Sequence, residues 1–160
     1  KPPLPALSTP INQWPMILAH DASTSYYRHT TCTPLTAVTN YVMTQSPGTF
    51  AQQLDCGARA FDLRPFVDDG KLVMAHGGII IDTAVSDALL HIRQWIGKQP
   101  NEFVFVYASH CDGKSDTDKT QCDSMVAASI NSSGIERIQC GDVASMTLEQ
   151  AMERGRIDVG

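Results

Sequence analysis

Residues 57 to 78 read GARAFDLRPFVDDGKLVMAHGG, an apolar run that nevertheless carries Asp62 and Arg64 two positions apart and ends at His76. Charged side chains are almost never buried unless they are paired. Two uses of the pair follow from its chemistry. It is either a structural Asp–Arg couple at a strand end or the floor of an anion site, and an isolated Asp-x-Arg does not choose between them. Two further stretches place polar residues after apolar ones: WPMILAHDAS ends in His20 and Asp21, and NEFVFVYASH ends in His110. Two imidazoles suit a base and an acid near neutral pH. A guanidinium between them suits a phosphate held by paired, charge-assisted hydrogen bonds. Together they are a toolkit for cleaving a phosphodiester without a metal.

Elements must bring these residues together. Strand alternation sets Asp62 and Arg64 on one face and Phe61, Leu63 and Pro65 on the other. The DDG sequence predicts a hairpin turning at Asp69-Gly70, with KLVMA as its return strand. An unbulged register puts Arg64 opposite Ala75, whereas a one-residue bulge puts it opposite His76. The bulged register is the one expected to set His76 beside Arg64, with Asp62 one step down. Met16, Leu18 and His20 share a phase, as do Val104, Val106, Ala108 and His110. Parallel strands that are apolar in the body and polar at the C-terminal tip are what an α/β barrel mouth requires. A helix is expected around Thr49 to Asp55, and TLEQAMERG reads as another, capped by Gly155 and followed by the next barrel strand.

The motifs MILAHDAS, FAQQLDCGARAFDLR, DDGKLVMAHGG and AVSDALLHIRQWIGKQPNEFVFVYAS give the chain, from about Asn12 to Gly113, a family likeness. It resembles the X domain of phosphatidylinositol-specific phospholipase C, most closely the metal-independent, bacterial-type branch. That resemblance implies a TIM-type (β/α) barrel of the PLC-like phosphodiesterase kind. It implies His20 as general base, His76 as general acid and Arg64 as the phosphate-binding arginine. Asp62 would steer Arg64, and Asp21 would support the acid histidine. No cofactor or metal is implied, because calcium-dependent relatives carry an acidic ligand where Arg64 stands, and a cation there repels calcium. The implied partner is an inositol phospholipid, or a related phosphodiester, met transiently at a membrane surface. Where the family's corresponding strand ends in a lysine or another polar substrate contact, this chain has His110-Cys111, so His110 and Arg64 are the candidate substrate-binding residues. A long insert between Asp21 and the Thr49 helix is expected to reshape the rim.

Length bounds the architecture. A TIM barrel takes about 250 residues, and this chain has 160. The expectation is a Pro-rich N-terminal arm over residues 1–11 and, over 12–160, the N-terminal half of a barrel. The net charge of −5 argues against a nucleic-acid footprint and against polybasic docking on anionic membranes. Trp14 and Ile79 to Ile81 are the apolar candidates for membrane contact, against the plainer reading that they are core. Of the five cysteines, Cys111 and Cys122 are placed to close a loop, and Cys56 is expected to be a buried free thiol. With the Asn131-Ser132-Ser133 sequon, these cysteines lean toward an extracellular protein. Two rivals remain. A metal-dependent glycerophosphodiester phosphodiesterase needs Glu-x-Asp where this chain has Asp62-Leu63-Arg64. A catalytically inactive barrel would serve as a lipid- or glycan-binding module.

Overall fold

The computed structural model of the chain describes residues 6–26, 48–77 and 79–159. Among these the strands, in chain order, are β1 (Ile17–Ala19), β2 (Ala58–Leu63), β3 (Pro65–Asp68), β4 (Lys71–His76), β5 (Ile79–Ala84), β6 (Val104–Ala108), β7 (Asp112–Gly113), β8 (Glu136–Ile138) and β9 (Arg156–Val159). The α-helices are α1 (Phe50–Asp55), α2 (Val85–Ile96), α3 (Asp116–Ser133), α4 (Cys140–Ser145) and α5 (Leu148–Arg154).

A parallel sheet runs in the order β1-β2-β6-β9-β8. It is an open arc, as half of a barrel would be, with β1 and β8 at its edges. Alternation along the central strands divides two cores. Phe61, Leu63, Val104 and Val106 pack with Leu89, Ile92 and Ile96 of α2 and with Val126 and Ile130 of α3. Helix α2 presents Val85, Ala88, Leu89, Ile92, Trp95 and Ile96 as one apolar face at helical spacing. Ala60, Phe103 and Phe105 lie in the opposite phase, in a second core with Ile11, Met146 and Leu148. The N-terminal segment joins that core through its backbone: Leu148 and Glu149 donate to the Thr9 and Leu7 carbonyls, at 2.9 and 3.0 Å.

The expected helices form with their caps. Thr49 and Thr147 each close a capping box, on α1 and α5, and Gly155 ends α5 at φ 70°. Strand β9 follows and pairs parallel with β6, as a barrel strand should. Strand β1 departs from an apolar, covered body: Ile17 is 58% exposed and Leu18 55%. An edge strand has a neighbour on one side only, so half a barrel leaves these side chains in solvent.

At Arg64 the chain leaves this sheet for another. Strand β2 ends at Leu63 and β3 begins at Pro65, inside a second sheet of order β5-β4-β3-β7. Proline has no N–H to give to a ladder, which suits the first residue after a change of sheet. The hairpin turns at Asp69 (φ 48°) and Gly70 (φ 75°), both left-handed, as a two-residue turn of this hand demands. Its register is Pro65 with Met74 through Asp68 with Lys71, and the Ala75 amide donates to the Arg64 carbonyl at 2.8 Å. Arg64 therefore faces Ala75, which corrects the expected bulge. The irregularity lies on the other side of β4, against β5, between Val73 and Met74. The left-handed turn already matches the strand twist, so the hairpin needs no extra residue.

Cys111 and Cys122 form a disulfide that ties the loop after β6 to α3. Cys56 is exposed rather than buried, because it stands past the last turn of α1 as its C-cap. Asn131 is exposed on α3. Of the proposed membrane contacts, Ile81 is core at 1% exposed and Ile80 is 39% exposed. Trp14 lines a cavity with Gly57 and Phe103 at the starts of β2 and β6, the end opposite the strand tips. Its position before β1 puts it there. None of the described helices is long and apolar enough to cross a membrane.

Candidate active site

Each candidate sits at or just past a strand tip. His20 and Asp21 follow β1, Asp62 is the penultimate residue of β2, Arg64 is the linker after it, and His76 ends β4. Asp21 adopts φ 50°, a left-handed turn that an Asp side chain tolerates better than most. This turn feeds a 3₁₀ segment, Ala22–Tyr26, which is pinned from outside. Gln53 Nε2 donates to the Ala22 carbonyl at 3.1 Å and to Ser25 Oγ at 2.9 Å. The Tyr26 hydroxyl accepts from the Phe50 amide at 3.1 Å and lies 2.8 Å from His91 Nδ1. Burial raises the Tyr26 phenol above its ordinary value; the Phe50 amide opposes this and the Asp87 charge adds to it.

The structure brings five of the six candidates into one cluster. Asp21 and Asp62 are only 8% and 5% exposed. Two neighbouring carboxylates removed from water need a cation, and Arg64 supplies it. Its Nε donates to Asp62 Oδ2 at 3.2 Å and lies 2.7 Å from Asp21 Oδ1. Its Nη2 is 2.9 Å from His20 Nε2. A guanidinium has only donors, so His20 Nε2 must accept and carries no proton there. The proton of a neutral His20 then sits on Nδ1, 3.1 Å from Asp21 Oδ2. His76 Nδ1 lies 3.2 Å from the same oxygen. One carboxylate oxygen thus faces both imidazoles, and His76 meets Arg64 through Asp21 rather than across the hairpin.

His20, Asp21 and Asp62 offer ligand atoms within 4.8 Å of one another, a grouping compatible with a metal by distance alone. Arg64 lies against both carboxylates, however. A dication on those oxygens would sit beside a permanent positive charge, so this donor set as arranged fits the guanidinium.

His110 stands apart. It shares with Arg64, Pro65, Phe66 and Asp112 a cavity of about 250 Å³. Among the described residues it makes no hydrogen bond or ion pair with the other five candidates. Its phase explains why: Val104 and Val106 of that phase are buried under the helices, and a left-handed turn at His110 (φ 55°) breaks the alternation. The residue before it reaches the cluster instead. Ser109 Oγ donates to Asp62 Oδ1 at 2.8 Å. The signal for Ser109 is the pairing of Asp62 with Tyr107, which puts position 109 on the carboxylate's face. Parallel register is not written locally in either strand. The rim insert expected after Asp21 falls, for residues 27–47, outside the described residues.

Neither a protein-family model nor a curated protein sequence matches the chain. Solved structures do. Phosphatidylinositol-specific phospholipase C of Staphylococcus aureus is similar over 96% of this chain and 49% of its own, at TM-score 0.70 and 15% identity. A variant of the same enzyme gives TM-score 0.72 at 17% identity, over 96% of this chain and 48% of its own. The Listeria monocytogenes enzyme of that name gives 0.61 at 20%, over 98% and 53%. The chain is thus similar, over nearly all its residues, to about half the fold of a bacterial phosphatidylinositol-specific phospholipase C, and it spans about half the length of those proteins.

Proposed function

We propose that this chain carries the acid–base centre of a phosphodiesterase that cleaves inositol phospholipids, or glycosyl-inositol anchors, without a metal. One observation carries the reading: Arg64 lies against two buried carboxylates and the ring nitrogen of His20, with His76 across Asp21. The likeness of fold supports it. In the resting site Arg64 occupies the His20 Nε2 lone pair. A phosphodiester anion competes for the same N–H groups, drawing the guanidinium onto its oxygens and releasing that nitrogen to act as base. His20 then takes the proton of the inositol 2-hydroxyl, whose oxygen attacks the adjacent phosphorus. The bond from phosphorus to the diacylglycerol oxygen breaks, and protonated His76 gives that oxygen its proton. The products are diacylglycerol and a cyclic inositol phosphate.

The nucleophile belongs to the substrate, so its proximity is intramolecular. Arg64 stabilises charge growing on the non-bridging oxygens. Asp21, facing both Nδ1 atoms, supports each imidazole when it is cationic. His110, on the neighbouring cavity, would meet the head group, and Ile80 beside Ala75 would be the apolar contact for a lipid surface. The Cys111–Cys122 disulfide favours an extracellular setting.

Incubating the full-length protein with phosphatidylinositol vesicles and excess chelator should release both products. Loss of activity in chelator, restored by calcium or magnesium, would overturn the metal-free mechanism.

A further inference from the structure

We infer that Ser109 is a positioning residue for this centre, fixing Asp62 and through it Arg64; the assignment rests on the reaction proposed above. Arg64 Nε has a single hydrogen, yet two carboxylates lie within 2.7 and 3.2 Å of it. One donor cannot hold both at full strength. Asp62 therefore needs a second anchor to stay where its Oδ2 faces Arg64 and lies 3.7 Å from His20 Nε2. Ser109 is that anchor: its hydroxyl takes the other oxygen, Oδ1, at 2.8 Å.

Ser109 is itself held on both sides. Its amide donates to the Leu63 carbonyl at 2.9 Å, continuing the ladder between β2 and β6 past the last paired residues. Two positions on, Cys111 is bonded to Cys122, fully buried in α3. The hydroxyl is thus presented from rigid backbone to a carboxylate that is 5% exposed. Without it Oδ1 loses its donor in a site with little water, and Asp62 turns to share both oxygens with Arg64. The guanidinium then shifts off His20.

The test uses the full-length protein with Ser109→Ala and with Ser109→Thr and Ser109→Val, a pair of one shape that differs by the hydroxyl. Ser109→Ala and Ser109→Val should lose about 10-fold in kcat on phosphatidylinositol with KM little changed, and Ser109→Thr should recover most of it. Nitrogen NMR of His20 gives a readout that needs no turnover: its tautomer signature should change in Ala and Val and persist in Thr. Should the wild type cleave no inositol lipid, the reaction fails, and the His20 signature still decides the role of Ser109. Thr and Val variants alike in tautomer signature and in kcat would overturn it.

Discussion

Two arginines bracket β2 and do different things. Arg59, near its start, commits four of its five N–H groups: Nε and Nη2 grip Glu102 at 2.7 and 2.9 Å, and Nη1 donates to the Leu54 and Ala58 carbonyls at 2.9 and 2.7 Å. Its guanidinium also lies 4.9 Å over the Trp95 ring. Arg64, just past the strand's end, pairs with buried Asp21 and Asp62 and reaches His20, while its Nη1 makes no hydrogen bond among the described residues. A guanidinium so committed keeps one N–H for a ligand, whereas Arg64 keeps a whole N–H edge beside two imidazoles. The larger cavity, about 520 Å³, is at the Arg59 end, so cavity size alone points away from the chemistry.

The sharpest way to break this comparison is to substitute both arginines. Arg64→Lys in the full-length protein should cut turnover by about 10²–10⁴ while leaving the fold intact, since a point charge cannot reproduce a planar fork on two phosphate oxygens. Arg59→Met should leave kcat within about twofold and cost about 2 kcal/mol, because charge-assisted bonds at a half-buried carboxylate are lost. Paired turnover and denaturation measurements check both. Reversed outcomes would mean that the spare donor edge does not mark function.

Within the Arg64 end, the two histidines should also separate. His20→Ala and His76→Ala should each cost about 10²–10⁴ in turnover. Only the acid becomes dispensable when the departing alcohol is already acidic. A nitrophenyl inositol phosphate should therefore rescue His76→Ala far more than His20→Ala. Equal rescue would exchange or erase the roles, and no loss from either would make the cluster structural.

The smallest effect tests the support beneath Asp21. Tyr26→Phe removes the acceptor of the Phe50 amide and the contact with His91, costing about 1 kcal/mol. Because the folded phenol is raised, its share of stability is complete below the ordinary value near 10 and is lost as pH rises toward the folded one. Wild type should lose stability across that alkaline window, and Tyr26→Phe should lose less there. Parallel curves of thermal midpoint against pH would show that Tyr26 is not the group responsible.

Much of the site was legible as residue types at strand tips. His20, Asp21, Asp62, Arg64 and His76 each end or follow an apolar run, and the Asp69-Gly70 turn was readable because few residue pairs suit two left-handed positions. The routes between them were not legible. The bulge expected at His76 is absent, and Asp21, from a different strand, makes that connection instead. His110 was grouped with the cluster by its phase, but the phase it continues faces the helices. Ser109 escaped because its claim depends on which residue of β2 stands beside β6.

The sequence by itself determined the apolar strands with polar tips, the helices from Thr49 and before Gly155, the hairpin turn, a cysteine pair able to close a loop and the chemistry available at the strand tips. These are local, set by alternation, helical spacing and the few residues that tolerate left-handed backbone. Only the tertiary structure decided the parallel register, the change of sheet at Arg64 and the single Asp21 oxygen facing both imidazoles. Parallel partners are dozens of residues apart, and their alignment is settled by how side chains of several strands and helices fill one core. No segment contains that information alone.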